Sequence, residues 1–182
     1  QALLSVDAAT LPLAEGQTVE QLYEEVAPVI FDPKVMPKRV NQAAGEDLVL
    51  TSACNYYDGV TQQEAEAFYS ALKDPKDETP VSYGLNSRLV KENGKIQEKV
   101  WKVGGLYGAA IGKIVYWLKK AEGVAENPEQ KAVIAKLIEF YETGDLKTFD
   151  DYAILWVKDL DSRIDFVNGF TESYGDPLGM KA

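Results

Sequence analysis

VSYGLNSRLVKENGKIQEKVWKV, residues 81–103, predicts a β-hairpin in the middle of the chain. Its two halves, 81–91 and 96–103, flank the tetrapeptide Glu92-Asn-Gly-Lys95. Asn93-Gly94 is the preferred pair for a type I′ turn, because both central residues must adopt a positive φ. Two further strands are predicted, at residues 48–57 upstream and 164–174 near the end.

Helical patterns surround the hairpin. Two capping boxes, Thr18-Val-Glu-Gln21 and Thr61-Gln-Gln-Glu64, each predict a helix start. Asn127-Pro128 predicts a third, as an N-cap followed by proline at the first helical position. With apolar residues at helical spacing, the predicted helices are 18–31, 62–73, 106–121, 128–142 and 149–158. The sequence therefore predicts a single α+β unit over residues 1–182.

Composition excludes several classes of partner. The chain has 182 residues, 46% of them hydrophobic, and a net charge of −10. Nucleic-acid binding is not expected, because phosphate contacts need clustered Lys and Arg, which are scattered here. A membrane partner is not expected, since no apolar run approaches the roughly 20 residues that a spanning helix needs. The acidic surface is typical of a solvated protein, and a weak attraction for cationic peptides is the alternative.

The chain contains no histidine and one cysteine, Cys54. Zinc sites are built chiefly from His and Cys, so we expect no metal site in this chain. Histidine-dependent relays are excluded too, and we expect no catalytic residue here. Cys54 is predicted to be a structural thiol. A lone cysteine fits a reducing compartment and favours a cytoplasmic location. The start at Gln1 indicates a trimmed chain, in which an N-terminal targeting segment would not be visible.

Phe166 to Gly179, FVNGFTESYGDPLG, is the stretch whose residue types suggest chemistry. In a strand, alternate side chains share a face. That face would carry Ile164, Phe166, Asn168, Phe170, Glu172 and Tyr174. Asp176, Pro177 and Gly179 are predicted to end the strand in a turn. A carboxylate beside a phenol at the end of an apolar strip suits a small cation with hydrogen-bond donors, such as the α-ammonium of a peptide. The alternative is a solvent-facing polar strand end without a ligand.

Trp156 to Gly179 resembles a segment of the dipeptidyl-peptidase III family of metallopeptidases. The family pattern Gly-Phe-x-Glu-x-Tyr-x-Asp-Pro-x-Gly is filled at every fixed position by residues 169–179. Weaker similarities lie at 56–59 and 85–89, and the resemblance is strongest after about residue 140. It is closest to bacterial, Bacteroides-like members.

The resemblance implies a two-lobed zinc exopeptidase that releases dipeptides from the N-terminus of short peptides. It implies a lower, substrate-binding lobe with a small antiparallel, barrel-like β core and packed helices. The zinc would lie in an upper, helical lobe, on a His-Glu-x-x-x-His helix with a further Glu ligand. Carried over, Glu172 would bind the substrate's α-ammonium and Tyr174 would hydrogen-bond its backbone. Asn168 is added because it lies on the same predicted face.

The zinc-binding helix of that family is absent from these residues. We therefore expect a fragment of the substrate-binding lobe, inactive by itself, whose partners are an oligopeptide substrate and the zinc-bearing remainder of the same polypeptide. Zinc would be the cofactor of the parent enzyme and none is expected in this chain. One alternative is a stand-alone, non-catalytic peptide- or protein-binding module. Another is a structural acidic domain in which Glu172 is solvated.

Overall fold

The computed structural model describes residues 3–32, 35, 40–169 and 175–181. Five helices and three strands form the described fold, which confirms the α+β class. The helices are α1 Val19–Phe31, α2 Gln62–Leu72, α3 Gly108–Glu122, α4 Pro128–Thr143 and α5 Leu146–Lys158. The strands are β1 Tyr57–Asp58, β2 Ser87–Glu92 and β3 Lys95–Val100, and two short 3₁₀ turns, Leu3–Ser5 and Ala8–Thr10, precede α1.

The predicted hairpin is present as β2 and β3, but its first strand begins only at Ser87, so the strand predicted for residues 81–86 is wrong and residues 83–86 form a turn. These strands are antiparallel, and Asn93 and Gly94 between them have φ values of 51° and 76°, as a type I′ turn requires. β1 pairs in parallel with β2, which gives the sheet order β1-β2-β3. Among the described residues this sheet stays open at both edges, so the barrel-like core was a wrong expectation.

The strand predicted at residues 48–57 is also largely wrong, because only Tyr57 belongs to β1. Residues 48–52 form a turn instead. The Asp47 carboxylate accepts hydrogen bonds from the backbone N–H groups of Val49 and Leu50 at 3.0 and 2.9 Å. An aspartate that bonds to the backbone locally competes with a sheet ladder, and here the local bonds prevail.

The strand predicted at 164–174 is not formed over its described part, residues 164–169. Side chains take the place of a neighbouring strand. Glu126 accepts a hydrogen bond from the Ile164 N–H at 2.8 Å, and the Gln130 amide donates one to the Ile164 carbonyl at 2.9 Å. The chain is therefore held against the start of α4 without a β ladder. Residues 170–174 of this prediction lie outside the described residues.

α4 is the central helix of the core. It begins at the Asn127 N-cap and ends at Gly144, whose φ of +72° closes the helix in the left-handed region that glycine tolerates. α3 and α5 both pack against it. Its fully buried Leu137 is worth about 2–5 kcal/mol against alanine. None of the described helices is long and apolar enough to cross a membrane.

A second part of the core lies between the sheet and α2. Its buried members are Tyr56, Tyr57, Val60, Ala65, Tyr69 and Leu89. The Tyr69 side chain crosses to Gly84, where a Cβ atom would lie only 2.9 Å from the phenol ring. Gly84 also has a φ of +90°. Glycine at this position therefore lets the turn before β2 approach the ring.

Candidate functional site

The three residues predicted to bind substrate differ in what the structure says of them. Glu172 and Tyr174 lie outside the described residues. Asn168 is described, and so are Gly175 and Asp176 on the other side of that stretch. The geometry of the candidate site is therefore described through the residues on either side of positions 170–174.

Asn168 is fixed by α4. The Tyr141 hydroxyl donates a hydrogen bond to Asn168 Oδ1 at 3.0 Å, and burial raises the pKa of Tyr141, which keeps this donor protonated. Asn168 Nδ2 is buried and has no hydrogen-bond partner among the described residues. A buried amide donor without a partner is costly, so this atom is suited to an acceptor such as a peptide carbonyl.

Asn168 lies beside a cavity of about 160 Å³ whose wall is largely α5. The cavity is lined by Phe149, Tyr152, Ala153, Trp156, Val167 and Asn168. Ile164 and Phe166 line a different, apolar cavity of about 240 Å³ together with residues of α3 and α4. The shared face predicted for Ile164, Phe166 and Asn168 is thus divided between two cavities.

Asp176 organises the chain that follows the candidate residues. The Tyr57 hydroxyl lies 2.9 Å from each of its carboxylate oxygens. The carboxylate also accepts hydrogen bonds from backbone N–H groups of Leu178, Met180 and Lys181 at 3.1, 2.7 and 2.9 Å. The turn predicted at Asp176 is present, and its carboxylate also joins it to β1.

Lys181 is the second anchor of this segment. It is 7% exposed, although lysine is rarely buried. Four oxygens lie near its Nζ: the Tyr69 hydroxyl at 2.6 Å, the Ser87 carbonyl at 2.9 Å, and Ser87 Oγ and the Gly84 carbonyl at 3.2 Å. The ammonium also lies 4.9 and 5.6 Å from the ring centroids of Tyr69 and Tyr57. We call residues 175–181 the docked segment.

Two hydroxyl groups connect Lys181 to a carboxylate on β3. Tyr69 Oη and Ser87 Oγ both accept from the ammonium, and both donate to Glu98 Oε1, at 2.9 and 2.5 Å. The buried charge is thus paired with Glu98 through two hydroxyl bridges. Complete hydrogen bonding of this kind is what makes a buried charge tolerable.

Burial shifts the ionisation of this cluster. It lowers the pKa of Lys181 to about 8, against the opposing attraction of the Glu98 and Asp176 carboxylates. Burial also raises the pKa of Tyr57 and of Tyr69 well above the usual range, and the neighbouring carboxylates add to both shifts. Both phenols are therefore neutral donors at physiological pH.

Sequence analysis had found only part of this cluster. Asp176 was recognised as a turn former, but its bond to Tyr57 was not foreseen, and Lys181 was not singled out. The only local signal is the Asp-Pro turn itself, because the acceptors of Lys181 lie 94 to 112 residues upstream.

The described residues contain no group of three or more His, Cys, Asp or Glu side chains that could hold a metal ion. Cys54 is half-buried, and burial raises the pKa of its thiol, so it is not an activated nucleophile.

Comparison with known proteins shows the family to which this chain belongs. A sequence profile described as Peptidase family M49 matches residues 43–182, which include Asn168, Asp176 and Lys181. The chain belongs to peptidase family M49. The resemblance seen in residues 156–179 is thereby confirmed.

Individual relatives of this M49 chain match over a shorter stretch. Dipeptidyl peptidase 3 of Rattus norvegicus is 30% identical over 77 residues, which are 42% of this chain and 10% of the rat protein. The human protein of that name is 31% identical over 77 residues, covering 42% and 10%. The Nematostella vectensis protein is 31% identical over 78 residues, covering 43% and 11%. The matched segment thus spans about a tenth of the length of these relatives.

Proposed function

We propose that this chain is the substrate-binding part of a zinc-dependent exopeptidase that releases dipeptides from the N-terminus of short peptides. The observation that carries the proposal is the M49 match over residues 43–182. The relatives named dipeptidyl peptidase 3 support the dipeptide as the product. The Gly-Phe-x-Glu-x-Tyr pattern at residues 169–174 supplies the candidate residues.

In this proposal Glu172 binds the free α-ammonium of the peptide and Tyr174 hydrogen-bonds the peptide backbone. An exopeptidase has to count residues from a free amino end, so it needs an anion at a fixed distance from the scissile bond. A hydrogen bond between charged groups contributes roughly 1.5–3 kcal/mol. Asn168 would donate its unpartnered Nδ2 to a substrate carbonyl.

The residues described here do not fit zinc, since they offer no metal-binding group and the sequence has no histidine. We propose that the zinc is held by another part of the same polypeptide and that this chain alone is inactive. An oligopeptide would be its small partner and the zinc-bearing part its large one. The cytoplasmic location stays a prediction.

The test is a kinetic comparison in the complete peptidase. Glu172→Gln keeps the shape of the side chain and removes its charge, and Glu78→Gln in an exposed loop is the matched control. We expect kcat/KM for a dipeptidyl chromogenic substrate to fall about 10- to 100-fold in Glu172→Gln. The control should match the wild type.

The same substrate with an acetylated N-terminus makes the test specific for the ammonium. The wild type should strongly prefer the free amine, and Glu172→Gln should lose most of that preference. Unchanged kinetics in Glu172→Gln would instead favour a solvated Glu172 in a structural domain.

A further inference from the structure

We propose that Lys181 and Asp176 are positioning residues, which dock residues 175–181 on the sheet in one register and so set the position of the peptide-binding residues that directly precede them. This inference rests on the proposed role of Glu172 and Tyr174. Neither Lys181 nor Asp176 would touch the substrate.

The first step of the argument is that two opposite charges hold the two ends of the docked segment. Asp176 is joined to β1 through the Tyr57 hydroxyl. Lys181 is joined to the start of β2 through the Ser87 carbonyl and to α2 through the Tyr69 hydroxyl. Three different elements of the fold therefore define where the segment lies.

The loop before the sheet covers the segment from the other side. The Gln42 amide donates a hydrogen bond to the Pro177 carbonyl at 2.9 Å. Gly175 has a φ of +71°, and a Cβ atom there would lie 3.2 Å from Val40 Cγ2. Pro177 is buried in the same place. The segment thus contacts both this loop and the sheet.

The two charges are better explained by a role in placing the docked segment than by a contribution to the stability of the fold. Apolar residues of similar volume often stabilise a protein as well as a buried ion pair does, or better. A purely apolar segment could, however, shift along its groove at little cost. Moving this segment by one residue would take Asp176 from Tyr57 and Lys181 from Ser87 at once, leaving both charges unpaired.

The register matters because of the distance involved. Successive Cα atoms are about 3.8 Å apart, so a shift of one residue would move the preceding chain by roughly 3.5 Å. A misplacement of about 1 Å at a binding site can cost about 100-fold in rate. Tyr174 lies only two positions before Asp176 in the sequence. An anchor so close can fix the position of the substrate-binding residues.

The experiment uses the complete peptidase with Lys181→Met, which keeps length and removes charge, and with Lys113→Met on the exposed face of α3 as the control. The main readout is the ratio of kcat/KM for the free-amine substrate to that for its acetylated form. This ratio does not depend on the fraction of folded enzyme, so a loss of stability alone leaves it unchanged. We expect it to fall at least tenfold in Lys181→Met and to stay at the wild-type value in Lys113→Met.

Hydrogen exchange of the backbone amides in residues 175–181 is the second readout, measured on the same proteins. We expect at least tenfold faster exchange there in Lys181→Met, with the β2–β3 hairpin unchanged. If Lys181→Met does not fold, Asp176→Asn removes the other charge of the docked segment at nearly the same size and serves in its place. Wild-type exchange in whichever of these variants folds would show that the charge does not dock the segment and would overturn the proposal.

The two proposals can fail separately. Lost selectivity in Glu172→Gln with wild-type selectivity in Lys181→Met would overturn the positioning role and leave the proposed function intact. Wild-type selectivity in Glu172→Gln would overturn the proposed function and, with it, the role in positioning substrate. The exchange rates would still decide whether the two charges dock the segment.

Discussion

Replacing Tyr69 with phenylalanine tests the hydrogen-bonded cluster around Lys181 directly. The ring of Tyr69 is fully buried, so Tyr69→Phe keeps its packing and removes only the hydroxyl. That hydroxyl accepts from Lys181 Nζ at 2.6 Å and donates to Glu98 at 2.9 Å. Hydrogen bonds to charged groups contribute about 1.5–3 kcal/mol each. Because Ser87 still bonds both partners, we expect the free energy of unfolding to fall by about 2–3 kcal/mol at pH 7.

Urea unfolding followed by circular dichroism measures this loss. Tyr116→Phe is the matched control, since its ring lies on α3 and the residue is 55% exposed. Substitutions at such surface positions usually change stability by less than about 0.5 kcal/mol. The two variants thus remove the same atom from a buried charged site and from solvent.

Repeating the measurement at pH 9.5 tests the role of the ammonium. With a pKa of about 8, Lys181 is largely neutral there and needs fewer acceptors. The hydrogen bond from Tyr69 to the Glu98 carboxylate remains at this pH, so the cost of Tyr69→Phe should shrink by about 1 kcal/mol and not vanish. A loss at pH 7 no larger than that of Tyr116→Phe would refute the account of the cluster. A loss that is the same at both pH values would refute the part played by the charge.

Two further predictions concern stability. Gly144 and Gly16 have φ values of +72° and +76°, but only at Gly144 would a Cβ meet another atom, Val100 Cγ1 at 2.6 Å. In both alanine variants the free energy of unfolding, measured with urea, should fall by about 1–2 kcal/mol because of left-handed backbone strain. In Gly144→Ala it should fall by about 1–3 kcal/mol more because of overpacking. Equal losses in the two variants would contradict the contact with Val100. In the wild type, the pKa of Lys181 lies below its ordinary 10.5, so the unfolded state binds more protons and stability should rise from pH 8 to 10, by up to about 2 kcal/mol. The raised pKa of Tyr57 lowers stability above pH 10, because the unfolded state loses its protons first. We therefore expect unfolding curves to show a stability maximum near pH 10. A stability that falls steadily from pH 8 would contradict this.

Elements with strong local signals were predictable from the sequence. Both capping boxes are formed, at Thr18 and Thr61, and the Asn93-Gly94 turn has the expected backbone. These signals depend on residues within four positions of each other. The helix bounds and the hairpin turn could therefore be predicted closely without any knowledge of tertiary structure, whereas the first hairpin strand begins at Ser87 and not at residue 81.

Extended segments were predicted less well because their state depends on distant partners. Residues 48–52 have strand-forming composition, but the Asp47 carboxylate bonds to their backbone and forms a turn. Residues 164–169 have an alternating pattern too, yet Glu126 and Gln130 satisfy the backbone at Ile164 in place of a strand. A pattern of alternation cannot show which group will supply the hydrogen bonds.

In the candidate site, too, local features could be predicted from the sequence and contacts between distant residues could not. The motif at residues 169–179 could be recognised from its resemblance to the family pattern, and the family match confirms that resemblance. The contact of Asn168 with Tyr141 and those of Lys181 with Tyr69 and Ser87 had no counterpart in local sequence. Such contacts arise only once the helices and the sheet have packed.

The docking of Lys181 also affects the order of events during synthesis. The sheet is complete in sequence at Val100, but the ammonium that bonds Ser87 and Tyr69 belongs to a residue made 81 positions later. At about 5–20 residues per second, a ribosome needs roughly 4–16 s to bridge that interval. During this time the groove that later receives residues 175–181 is open to water and to other chains. A nascent chain stalled in this interval would thus present the Tyr57 and Tyr69 side chains as a natural binding surface for a chaperone.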